Sequence, residues 1–179
     1  MRDFTAPVFL QRGNTLFDIR NDTDPNTNLF ALASEFELHN YMMSFEYAGF
    51  DRVVLRLAAD YVNNVGFDQQ DVFARTGALV EPRTVGYEVD FSIGRPEIAN
   101  RHDWRLYLTY KYLGRDAVID GFAESNFLLG GTDSQGYVFT ADYGLGPATM
   151  LRARLLSANE IDGPPLGVDI FQLDVLARF

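Results

Sequence analysis

The chain has 179 residues, enough for one domain with its own core and too few to suggest two. With 47% hydrophobic residues, 22% charged residues and a mean hydropathy of -0.11, its bulk character is that of a water-soluble protein, and no apolar run approaches the roughly 20 residues of a membrane helix. A formal charge of -10 with only 15 Lys and Arg leaves no basic patch for a nucleic acid, and the absence of cysteine removes disulfides and thiolate metal sites.

Residues 1–28 alternate poorly and contain the turn-rich run NDTDPNTN. They are expected to form an N-terminal arm, a partial strand or a plug, ahead of a strand-forming domain over residues 29–179. Residues 1–20 lack the charged start, apolar stretch and small-residue cleavage site of a secretory signal, as expected of a mature, truncated or engineered chain.

From Phe30 onward the pattern is alternation with period 2, the signature of strands with two different faces. Phe30, Leu32, Phe36 and Leu38 oppose Glu35, Glu37 and His39. After a turn at His39 and Asn40, Tyr41, Met43, Phe45 and Tyr47 oppose Ser44 and Glu46, and Leu55, Leu57, Ala59 and Tyr61 oppose Arg56 and Asp60. The residues between 64 and 83 read as a loop with a short helical turn near Gln70–Arg75.

The clearest strand sets Val85, Tyr87, Val89, Phe91 and Ile93 against Gly86, Glu88, Asp90, Ser92 and Gly94. Trp104, Leu106, Leu108, Tyr110 and Tyr112 follow, opposite Arg105, Tyr107, Thr109 and Lys111, and then Tyr137, Phe139, Ala141 and Tyr143, opposite Val138, Thr140, Asp142 and Gly144. Leu151, Ala153 and Leu155 oppose Arg152 and Arg154, and the last segment sets Phe171, Leu173, Val175, Ala177 and Phe179 against Gln172, Asp174 and Arg178. The fold class read from this is all-β, an antiparallel up-and-down transmembrane barrel of about eight strands.

Alternation alone does not say whether the apolar face points inward, as in a soluble barrel, or to lipid. Connection lengths favour lipid. Counting back from Phe179, the brief connections at residues 49–52, 94–103 and 144–148 fall on the periplasmic side, and the longer ones at 64–83, 114–135 and 159–168 fall outside, with the turn at 39–40 the one exception. Aromatic placement agrees: one rim holds Phe30, Tyr47, Trp104, Tyr143 and Phe179, the other Tyr41, Tyr61, Tyr87, Tyr112 and Tyr137, with an aliphatic waist between them.

Five segments carry a resemblance to a known family: RGNTLFDI (12–19), YVNNVGFD (61–68), DWRLYLTYKYLGRDAVIDGF (103–122), GGTDSQGY (130–137) and the ending DIFQLDVLARF (169–179). In order and spacing the chain resembles the C-terminal portion of the putative porins of Gram-negative outer membranes. The resemblance implies an outer-membrane barrel in contact with lipid, inserted by the barrel-assembly machinery, with Phe171, Leu173, Val175 and Phe179 as the final-strand signal. Those porins are usually longer, so the chain is either the C-terminal part of a larger barrel, completed by further strands or other barrel chains, or a small closed one.

On the polar faces stand Glu35, Glu37, Glu46, Arg56, Asp60, Glu88, Asp90, Arg105, Lys111, Asp142, Arg152, Arg154, Asp174 and Arg178. Opposite signs are often neighbours, as a lumen network requires, because an unpaired buried charge costs several kcal/mol. Two outcomes follow: the charges line an aqueous path for small hydrophilic solutes and set its selectivity, or they pair off and fill a narrow, non-conducting barrel of structural or accessory role. A soluble ligand-binding barrel is the third reading.

Enzymatic chemistry is not expected. His39 and His102 are the only histidines, and His39 with Glu35 or Glu37 is a weak basis for acyl transfer. The loop acids Asp116, Asp120, Glu124 and Asp133 offer oxygen ligands without the ordered spacing of a calcium loop. No cofactor or resident metal is expected.

Overall fold

The structure, a computed structural model, describes residues 12–20 and 29–178. In chain order its elements are β1 (Leu16–Asp18), β2 (Phe30–Leu32), β3 (Leu38–Phe50), β4 (Val53–Asn64), α1 (Gln69–Thr76), β5 (Val85–Gly94), β6 (Trp104–Leu113), β7 (Ser134–Gly146), β8 (Thr149–Glu160) and β9 (Gly167–Ala177). A two-stranded sheet pairs β1 with β2, and a seven-stranded sheet runs β3 to β9 in sequence order.

Register follows from period 2, since a one-residue slip would exchange the two faces. In the antiparallel β8–β9 pair, Leu151, Ala153 and Leu155 stand opposite Val175, Leu173 and Phe171, while Arg152 and Arg154 stand opposite Asp174 and Gln172. Apolar residues therefore meet apolar residues, and polar meet polar. Tight turns at residues 51–52 and 147–148, and the 95–103 connection, join strands at one end; segments 65–84, 114–133 and 161–166 join them at the other.

One expected strand is absent from this sheet. Only Phe30–Leu32 of the Phe30–His39 segment is extended, and it pairs with β1, matching Leu16 to Leu32 and Asp18 to Phe30. The reason lies in residues 33–37, whose backbone is engaged by side chains: the Asn64 amide donates to the Glu35 carbonyl and accepts from the Glu37 N–H, and the Ser34 hydroxyl donates to Glu35. His39 and Asn40 are not a turn but lie inside β3, and the odd short connection disappears with them. Phe30 accordingly leaves the expected rim.

The chain falls into two compact units. The first comprises Met1–Asn40, Val62–Gly86 and Leu113–Ser134, and its core mixes small apolar groups with polar ones. Ala31, Ala33, Val72 and Ala117 are buried beside Asn64, Asp116, Thr132 and Ser134. Asn14 ties the N-terminal segment to residues 115–120, donating to the carbonyls of Arg115 and Val118 and accepting from the Asp120 N–H.

Helix α1, longer than the expected turn, starts because Asp68 caps the N–H groups of Gln70 and Asp71, and stops at Gly77, whose φ of 70° suits glycine. Its Val72 is buried, and Arg75 donates to the Ala33 carbonyl.

The second unit comprises Tyr41–Tyr61, Tyr87–Tyr112 and Gln135–Phe179. Here the usual pattern of burial is inverted. In β5, Tyr87, Val89 and Phe91 are exposed while Glu88, Asp90 and Ser92 between them are partly covered. In β9 the apolar Phe171 and Val175 are 62% and 68% exposed, while Gln172 between them is partly covered.

Candidate functional site

The polar face of the second unit is the candidate site, built where β5 to β9 bring alternate residues side by side. At its centre Asp142 of β7 is fully buried. Arg152 of β8 grips it with two bonds, Nε to Oδ1 at 2.7 Å and Nη2 to Oδ2 at 2.9 Å, the forked geometry that guanidinium and carboxylate share. Arg105 of β6 approaches Oδ2 from the other side at 3.5 Å, is held by the Pro96 carbonyl at 2.7 Å, and lies 4.7 Å over the Tyr107 ring.

Further along, Lys111 of β6 meets Glu88 of β5 at 2.9 Å, the Thr109 hydroxyl donates to Asp90, and Arg154 reaches Gln172 at 3.4 Å. The fold thus brings together Glu88, Asp90, Arg105, Lys111, Asp142, Arg152 and Arg154, with Asp174 directly across from Arg152. Glu35 and Glu37 sit between β2 and β3 in the first unit, Glu46 is exposed on β3, and Arg178 follows β9 and meets Glu97 at 3.7 Å with both side chains exposed. On β4, Arg56 is exposed and Asp60 is partly covered.

On the opposite face tyrosines associate in a row. Tyr41 and Tyr61 rings lie 6.4 Å apart, Tyr87 stacks on Tyr112 at 5.2 Å, and Tyr110 meets Tyr137 at 4.8 Å. Near the short turns, Tyr47 packs edge-on to Phe50, Tyr143 meets His102, and Trp104 is exposed. Phe171, Leu173 and Val175 are exposed on β9; Phe179 lies outside the described residues.

Sequence reading missed the framework of the 95–103 connection. Asp103 accepts from Arg95 Nε and from the N–H groups of Ala99 and Asn100. The Arg95 bond holds its carboxyl below the ordinary carboxylate range, against the opposing effect of burial. Asp116 goes the other way: burial raises it, although the Thr15 N–H and hydroxyl both donate to it. Neither residue stands in a periodic pattern, which is the one signal the sequence offered.

Among the described residues no three His, Asp or Glu side chains gather as metal ligands. His39 lies 3.9 Å from an exposed Glu37, and His102 bonds to the Tyr143 hydroxyl.

A family model described as Putative porin matches residues 1–179. The chain belongs to the Putative porin family. No curated protein and no solved structure matches this porin-family chain. The inverted burial of its second unit is a property that a porin requires and a soluble β-protein does not.

Proposed function

We propose that this chain forms wall of an outer-membrane β-barrel that lets small hydrophilic solutes diffuse passively, with the charged face toward the aqueous path and the apolar face toward lipid. The observation that carries the reading is the exposure of the apolar face. Fully burying a side chain such as Phe, Leu, Met or Val is worth roughly 1.5–3 kcal/mol, and Met43, Phe45, Leu57, Phe91, Leu108, Phe139, Leu155, Phe171, Leu173 and Val175 each forgo part of it in water. A hydrocarbon surrounding supplies that burial.

Closure belongs to the same proposal. In a seven-stranded meander the edge strands β3 and β9 run parallel to one another, so an all-antiparallel barrel needs an odd number of further strands between them. These come from this chain or from partner chains. Both faces of β3 support a missing neighbour, since the consecutive residues Met42 and Met43 are 78% and 73% exposed. The apolar side of β9 then serves as the signal read by the barrel-assembly machinery.

The second reading is a non-conducting barrel, favoured by the pairing of Asp142 with Arg152 and Arg105. Single-channel recording of the refolded protein in a planar bilayer separates the two. Ohmic current steps support diffusion through the barrel, whereas a silent bilayer with folded protein inserted leaves the accessory reading.

A further inference from the structure

Arg95, Arg101 and His102 share one connection, while Arg52 lies in an earlier turn of the chain. The fold gathers them at the short-turn end of the second unit. A cavity of about 290 Å³ is lined by Arg52, Arg95, Arg101, His102, Asp103 and Trp104. Its one carboxylate, Asp103, is committed to Arg95 and to backbone N–H groups, and Arg95 is further held by the Arg52 carbonyl at 3.2 Å. No ion pair joins Arg52 or Arg101 to another described residue, and both are exposed. The other acid of this connection, Glu97, faces Arg178, and Asp51 does not line the cavity.

Two lining residues hold left-handed backbone without being glycine, Arg52 at φ 61° and His102 at φ 68°. Non-glycine residues seldom adopt this conformation, and such residues concentrate at ligand sites. The His102 Nδ1 is engaged by Tyr143, which leaves Nε2 for a ligand. Trp104 begins β6 on its apolar side, in step with Leu106 and Leu108, and is 39% exposed.

We propose that this cavity binds the phosphate of an anionic phospholipid headgroup. The guanidinium forks of Arg52 and Arg101 match phosphate oxygens, and His102 adds a third donor. A free phosphate would use these groups alone. A phospholipid also continues past Trp104 onto the apolar face, which rests on the reading that this face meets lipid; basic pockets beside aromatic anchors hold headgroups in this way.

Trp104 is the only tryptophan of the chain, so its emission reports on the site. The full chain, refolded in zwitterionic micelles, is titrated with a short-chain phosphatidylglycerol and separately with inorganic phosphate. The expected result is a saturable change in Trp104 emission with the lipid, weakened at least tenfold in Arg52→Gln/Arg101→Gln protein with an unchanged far-UV dichroism spectrum. Should the double variant fail to fold, Arg101→Glu alone, at an exposed position, is expected to weaken it as well. Equal response to inorganic phosphate overturns the lipid assignment; no saturable response, or one indifferent to the arginines, overturns the site. Folded, monodisperse protein in detergent-free buffer would instead refute the lipid-facing reading.

Discussion

Asn64 shows how much a single buried amide organises. It is almost fully buried and accepts from the N–H groups of Glu37 and Gly66 while donating to Ser34, Glu35 and Asp116. Truncating it leaves several buried partners without water, so Asn64→Ala is expected to lower the stability of the first unit by about 2–3 kcal/mol. Hydrogen exchange at the amides of residues 35–37 and 64–66 measures this, and protection equal to the parent's would refute it.

Asp116 is the residue where pH enters. Burial raises its folded-state carboxyl above the ordinary value. Its contribution to stability is therefore greatest below the ordinary carboxylate range and is lost as pH rises through the raised value. Asp116→Asn keeps both Thr15 contacts, with Oδ1 accepting from the N–H and Nδ2 donating to the hydroxyl. The variant is expected to make the segment 114–133 more resistant to proteolysis at neutral pH and to flatten its pH dependence; cleavage that still quickens between pH 4 and 7 would contradict this.

At the scale of elements, the large sheet is specified by two-residue periodicity and by charges paired between strands. Asp142 joins β7 to β8 and β6, and its removal would leave two guanidinium groups facing each other across an empty site. Asp142→Ala is expected to destabilise the sheet by about 3 kcal/mol, less if water reaches the arginines. If the barrel conducts, the same change is expected to shift the reversal potential in a salt gradient toward anions. Unaltered melting and unaltered selectivity together would show that the pair is incidental. Close packing of strands is also chosen by residue size: a Cβ at Gly136 of β7 would collide with the Ser157 carbonyl of β8.

At the scale of the whole molecule, the net charge of -10 would keep an ordinary protein dispersed in water. The exposed apolar face opposes this, and the long strand β3, which among the described strands pairs with β4 alone, adds a second route to association. The chain is expected to precipitate on removal of detergent at any pH between 6 and 9 and to remain monodisperse in micelles, as light scattering would show. A clear solution of folded protein without detergent is the result that contradicts it.

Strand identity, the two faces of the large sheet and the family itself were legible in the sequence, because alternation is a local consequence of the extended backbone: each residue of β5 or β9 declares its side by position alone. Alternation also misled at Phe30–His39, where the pattern continues although the Asn64 and Ser34 side chains take the backbone bonds a ladder would have used. Which charges meet was decided only by tertiary structure. Asp142 finds Arg105 across 37 positions, Thr15 reaches Asp116 across 101, and Arg52 comes to share a cavity with Arg101. Such meetings depend on turns and register summed over many residues, and they leave no periodic trace in the chain.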